Sequence, residues 1–162
     1  MPDPYVTEAE FDTTFDRCWL PVFRFALAWT NDWASAEDLT QDAFLKLWAK
    51  RSELDWSEPM LPWLLTATRR LATDRFRRLR SSLRVSQRSE TTGGAVDSDA
   101  RLRWLDLRPR LAELSAVQRS ALVLTALLGL TPEQAAETLG TSAGAVRAAV
   151  SRARANMVET ES

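Results

Sequence analysis

Residues 132–151, PEQAAETLGTSAGAVRAAVS, decide the reading of the C-terminal part of this chain. They fit a helix-turn-helix, in which a short helix, a tight turn and a second helix pack across one another. A small residue is needed where the helices cross, and Ala136 supplies it. Leu139 seals the first helix against a core, and Gly140 permits the turn. Val146 and Val150, four apart, hold the second helix down. Its opposite face carries Ala143, Gly144, Arg147, Ala148, Ser151 and Arg154, the side such a motif lays in a DNA major groove. That face is poor in base-reading side chains and the segment has no net positive charge, so alone it should bind DNA weakly. Two helices crossed at an angle also occur without DNA.

Upstream, the periodicity is helical throughout. Arg101 to Leu114 and Ala116 to Leu128 read as helices, followed by Thr131 to Leu139 and Ser142 to Val158. Ser81 to Asp99 is rich in Ser and Thr, contains Gly93-Gly94 and has few apolar residues, the composition of a flexible linker. Before it, Trp63 to Leu79 is helical, with Leu64, Ala67, Leu71 and Phe76 as its inward face. Glu53 to Pro62 holds two prolines and no period, and reads as a loop. Ser35 to Arg51 is the clearest helix, with Leu39, Ala43 and Leu47 on one stripe and Ser35 with Asp38 as a capping box. From Thr7 to Trp29 apolar residues again recur at three and four, and Pro21 is expected to kink or restart that helix. No stretch alternates as a strand does. The fold class is all-α, with two small helical domains joined by a flexible linker, the C-terminal one a helix-turn-helix.

Composition narrows the chemistry. Histidine is absent from the 162 residues, which removes the commonest general base and the commonest zinc ligand. Cys18 is alone, so no intramolecular disulfide forms, and its apolar neighbours suggest a buried thiol. No nucleophile–base pair or ligand cluster can be assembled, so neither catalysis nor a metal, cofactor or small-molecule substrate is expected. No apolar run is long enough to span a bilayer, and the acidic start lacks the regions of a signal peptide, so a cytoplasmic protein is expected. Six of the seven Trp lie before residue 64, enough for a dense core with one or two left for contacts.

The net charge of −1 hides a strong asymmetry. Residues 1–58 carry twelve acids and five bases, whereas residues 59–110 carry twelve Arg and five acids. An acidic block beside an Arg-only basic block implies two partners, one basic and one anionic. Within the first block, Asp38, Gln41, Asp42 and Leu45 share one helical stripe, suited either to helix-on-helix docking or to solvent. Within the second, eight Arg and one acid fall in residues 69–88, preceded by Trp63. Positive charge beside aromatic surface suits single-stranded nucleic acid, and Arg favours bidentate phosphate contact.

Taken in order, DLTQDAFLKLW (38–48), PWLLTATRRLATDRFRR (62–78), a linker and LSAVQRSALVLTALLGLTPEQAAETLGTSAGAVRAAVSRAR (114–154) resemble the sigma-70 family, and its small extracytoplasmic-function group in particular. The resemblance covers residues 8–80 and 101–157 and implies a factor that binds core RNA polymerase and directs promoter-specific initiation. It implies polymerase docking by Asp38, Leu39, Gln41, Asp42, Leu45 and Trp48, with Phe44 beside them. It implies capture of a melted minus-ten base by Met60, Trp63, Arg69, Arg70, Arg77 and Arg78, although Trp63 can equally be a core residue. It implies a minus-thirty-five reader at Ser142, Arg147, Ser151 and Arg154. The expected domains are 5–80 and 101–158, joined by the linker 81–100. The partners implied are core RNA polymerase, promoter DNA and an anti-sigma factor.

Three departures from the family pattern bear on promoter reading. Thr68-Arg69-Arg70 stands where an Ala-Arg-Asn is usual, Met60 where an aromatic is usual, and Ala145 where a Thr precedes the recognition-helix Val. Two other readings remain open on the residues. One is a helix-turn-helix regulator that never docks on polymerase. The other is a helical protein-binding decoy, for which the arginines would be dispensable.

Overall fold

A computed structural model describes residues 6–81 and 97–159. Among these, every regular element is helical: α1 (Glu8–Thr30), α2 (Trp33–Ala49), α3 (Leu61–Ser81), α4 (Ser98–Leu111), α5 (Ala116–Leu122), α6 (Pro132–Leu139) and α7 (Ala143–Glu159). A 3₁₀ turn at Arg51–Glu53 follows α2, and a π-helical turn at Val123–Leu127 extends α5.

Local signals set most boundaries. Thr7, Ser115 and Thr131 each cap a helix through a complete capping box, with Glu10, Gln118 and Gln134 as the reciprocal partners. Asn31 ends α1 in the left-handed region (φ 49°), its N–H donating to the Leu27 carbonyl.

Four expectations change. Helix α1 runs unbroken through Pro21. The cost of an interior proline, about 3 kcal/mol, is offset because Cys18, Trp19, Val22, Phe23, Phe25 and Ala26 are all buried on either side of it. The N-cap of α2 is Asp32, which accepts from the Ser35 N–H and hydroxyl, so Ser35 serves the cap and does not form it with Asp38. Phe76 is exposed, because the inward face of α3 drifts from Leu64, Leu65, Ala67 and Thr68 to Ala72 and then leaves the core. Helix α4 starts at Ser98, inside the expected linker, and ends at Leu111; most of that linker, residues 82–96, lies outside the described residues.

Helices α1, α2 and α3 form a three-helix unit, and α5, α6 and α7 form the helix-turn-helix unit. They lie against each other. One hydrophobic cluster joins Val22, Phe25, Leu47, Leu64 and Leu65 to Ala121, Leu124, Leu139 and Val146. A second joins Phe23, Trp33 and Leu39 to Trp104 of α4, whose ring lies 5.6 Å from that of Trp33.

Candidate protein and nucleic-acid interfaces

The stripe on α2 is partly surface and partly core. Leu39 is 1% exposed and Phe44 is buried, so neither offers area to a partner. This corrects the assignment of Leu39 to docking: it shares its face with Ala36 and Ala43, both fully buried. Asp38, Gln41 and Asp42 are half-buried, and Leu45 is 61% exposed. Leu45 and Gln41 border an apolar cleft of about 270 Å³ whose other walls are Phe11, Phe15, Trp19, Phe44 and Trp48. Trp48 is fixed there by an edge contact to Phe11 at 5.0 Å and by the Arg51 guanidinium 3.9 Å over its ring. Phe11 and Phe15, which belong to the apolar period of α1, are half-buried. Their spacing of four puts both on the cleft, with rings against Phe44.

Asp42 does not stand alone. It forms an ion pair with Arg75 of α3, both groups about two-fifths exposed. The acidic helix α2 and the basic helix α3 are therefore joined at this pair. Its net contribution is that of a partly solvated bridge, on the order of 1 kcal/mol or less.

The loop between α2 and α3 is ordered by its own polar groups. Trp56 donates its indole N–H to the Arg51 carbonyl at 2.8 Å. Asp55 accepts from the Ser57 hydroxyl and N–H, and these bonds lower its pKa below the usual carboxylate value. Met60 is 8% exposed, packed under the loop, so the surface it offers is confined to the wall of the adjoining cleft. Between loop and α1 lies a cleft of about 340 Å³ lined by Thr14, Arg17, Cys18, Trp56, Ser57, Glu58, Pro59, Met60 and Leu61. Burial raises the Cys18 thiol pKa, opposed by the nearby Arg17 charge, as expected for a structural cysteine.

On α3, Trp63 is half-buried against the core, while Arg70, Arg77 and Arg78 are exposed. Arg69 is half-buried and donates Nε–H to the Thr138 carbonyl of α6 at 2.7 Å. Of the expected minus-ten group, Arg69 therefore has an intramolecular partner.

In the helix-turn-helix, Gly140 adopts φ 66°, ψ 39°, the left-handed turn expected of it. Val146, Ala149 and Ala153 are buried and Val150 half-buried, leaving Gly144, Arg147, Ala148, Ser151 and Arg154 exposed on one face. Ser142 accepts from the Ala145 N–H at 3.1 Å and so orders the first turn of α7. Arg147 is held by Glu133 of α6 at 2.6 Å. Glu133, which sequence reasoning missed, has its pKa lowered by its own backbone N–H and by Arg147. A cleft of about 360 Å³ lined by Thr125, Pro132, Val146, Arg147, Val150, Ser151 and Arg154 runs along this face. Among the described residues no cluster of potential metal ligands occurs, and no helix is long and apolar enough to cross a membrane.

The comparisons with known proteins agree with this geometry. The family model described as "Sigma-70 region 2" matches residues 15–82, and that described as "Sigma-70, region 4" matches residues 105–157. The sequence is 35% identical over 142 residues to the ECF RNA polymerase sigma factor SigC of Mycobacterium tuberculosis, covering 82% of this chain and 73% of the relative. It is 31% identical over 134 residues to the RNA polymerase sigma factor CnrH of Cupriavidus metallidurans, covering 75% and 70%. Among solved structures, the sigma factor RpoE in complex with the anti-sigma factor NepR from Bartonella quintana aligns with a TM-score of 0.68 at 29% identity, over 92% of this chain and 94% of that one. CnrH in complex with the cytosolic domain of CnrY shares the fold, with a TM-score of 0.66 at 23% identity, over 96% and 92%.

Proposed function

This chain belongs to the extracytoplasmic-function group of the sigma-70 family, and we propose how its surfaces divide the work of an alternative sigma factor that brings core RNA polymerase to specific promoters. Helix α2 docks on the polymerase. Leu45 and the aromatic cleft take an apolar side chain of the partner, and Asp38, Gln41 and Asp42 meet a basic rim. The observation that carries this reading is Leu45, 61% exposed beside a cleft walled by five aromatic rings, on the acidic half of the chain. An exposed apolar group rimmed by polar residues is what a protein contact uses.

The loop and α3 read the melted minus-ten element. The cleft between the loop and α1 is roomy enough to receive one unstacked base, with Arg17 at its edge and Arg70, Arg77 and Arg78 leading the backbone toward it. Helix α7 reads the minus-thirty-five duplex through Arg147, Ser151 and Arg154, with Ser142 ordering its start. The working units are residues 5–80 and 101–158, joined by 81–100. The factor itself is non-catalytic and acts in the cytoplasm, where polymerase and promoter are. An anti-sigma factor is a further partner; the solved relative RpoE is seen in complex with the anti-sigma factor NepR.

Reconstituted transcription tests the reading. Core polymerase with this chain, on genomic fragments, yields discrete start sites that are absent with core alone. Equal transcript patterns with and without the chain would refute it.

A further inference from the structure

Glu58 is an exposed acid lining the cleft between the loop and α1, where the reading above seats one base of an anionic strand. A carboxylate there repels phosphate, so it weakens the site unless it accepts a hydrogen bond from what enters. Its backbone is fixed from both sides. The Glu58 N–H donates to the Asp55 carbonyl at 3.3 Å, closing a tight turn, and Pro59 disfavours the helical region for the residue before it. Asp55, the other acid of the turn, is occupied within it: its carboxylate accepts from the Ser57 hydroxyl at 2.6 Å and N–H at 3.0 Å. Trp56 lies between them, with its indole N–H given to the Arg51 carbonyl at 2.8 Å and its ring packed on the core. A ring whose donor is already used offers the cleft a flat wall and no hydrogen bond of its own. Among the described residues lining the cleft, Glu58 is thus the one acid and Arg17 the one cation.

These parts can tell bases apart. Cytosine, adenine and guanine each carry an exocyclic amine that donates, and thymine carries none. An ionised carboxylate only accepts, so it pairs with an amine. Thymine offers it a single ring N–H set between two carbonyl oxygens that repel it. We propose that Glu58 selects the captured base by accepting from its exocyclic amine while the base stacks on Trp56, so that the cleft rejects thymine. The proposal rests on the reading of this cleft as a base site and adds which bases it takes. Arg17 offsets the carboxylate charge against the incoming phosphates.

The test uses the full chain bound to core polymerase. Promoters recovered from genomic fragments are rebuilt as pre-melted bubbles in which each unpaired non-template position carries each base in turn, and their binding is measured in competition. One position disfavours thymine against the best base by at least about tenfold, the size expected for one wrong base. Deleting only the amine of the best base there costs the parent a similar factor: 2-pyrimidinone replaces cytosine, purine replaces adenine, or hypoxanthine replaces guanine. In Glu58→Gln, whose amide both accepts and donates, thymine comes within about threefold of the best base. In Glu58→Ala the amine deletion has no effect. Ratios are compared within each variant, because losing an acid raises affinity for every strand. The site is an exposed loop position, and thermal unfolding checks that both variants keep the fold. Thymine rejection that is absent from the parent, or unchanged in both variants, overturns the proposal and leaves Glu58 a solvated loop acid. If the parent complex holds no bubble better than core alone, the base-site reading itself fails, an outcome distinct from equal holding of all bases.

Discussion

Replacing Leu45 with alanine separates docking from folding better than any charge change on α2. The substitution removes about three carbons, each worth about 0.8 kcal/mol on full burial, or roughly 2.4 kcal/mol in all. Leu45 is 61% exposed, so about that share of its area remains to be covered by a partner. Docking should therefore lose about 1.5 kcal/mol, a rise in Kd of roughly tenfold. By the same arithmetic the part already covered costs the fold roughly 0.9 kcal/mol, too little to unfold it. Fluorescence anisotropy of labelled protein titrated with core polymerase measures the first, and thermal unfolding the second. Leu102 of α4, exposed to 60%, gives the comparison, since its alanine variant reports the general cost of removing an exposed leucine. A Leu45→Ala Kd within twofold of the parent, with the fold intact, would refute docking through this cleft. An equal loss at Leu102 would refute its localisation to α2.

Other surfaces give their own tests. Asp42→Asn should cost under about 1 kcal/mol of stability, and Arg75→Gln on that background little more, because both report one ion pair; additive losses in denaturant titrations would show that the pair is not coupled. Glu133→Gln frees Arg147 and removes a charge beside the reading face, so the polymerase-bound protein should hold promoter duplex more tightly. Its log affinity against log salt should steepen by about 0.9 for one added phosphate contact, and an unchanged slope would keep Arg147 off the backbone. Arg70→Ala, at an exposed site, should slow strand opening while leaving the closed complex largely intact, whereas Arg147→Ala should weaken the closed complex itself. Permanganate reactivity of unpaired thymines separates the two steps, and failure of both at the same step would refute one element per domain. Leu64→Ala, at a fully buried site, should cost about 2–5 kcal/mol in denaturant unfolding.

The helical class and the helix-turn-helix were legible because each depends on short-range pattern. Gly140, Leu139, Ala136 and Val146 take the turn, seal, crossing and core positions assigned from spacing alone. What escaped was set by contacts distant in sequence. Pro21 looked like a break, and only the buried residues around it show why α1 continues. Phe76 carried the right period for the core, but α3 outruns the surface that would bury it. On α2 the stripe from Asp38 to Leu45 was visible. Its division into buried Leu39, paired Asp42 and exposed Leu45 depends on where α1 and α3 lie. Glu133 gave no sign because its partner is fourteen residues away on another helix.

The arginine block shows why charge counting identified a surface without identifying its parts. Along the chain Arg69 and Arg70 are equivalent cations. In the fold they differ, because Arg70 faces solvent while Arg69 turns toward the open end of α6. The need for Arg69 there is itself written in the sequence: α6 ends Glu-Thr-Leu-Gly with no basic residue, as α1 ends Ala-Trp-Thr-Asn. A helix without a local cation at its C-terminus can recruit one from another element. That deficit is readable from sequence, but the donor is not, since Arg69 and Arg119 lie 69 and 90 or more residues from the carbonyls they reach. The consequence for promoter reading is directional. Under the proposed division of work, α7 gives up only an exposed Arg147–Glu133 ion pair to reach duplex, whereas strand contact through Arg69 gives up a half-buried bond to the Thr138 carbonyl.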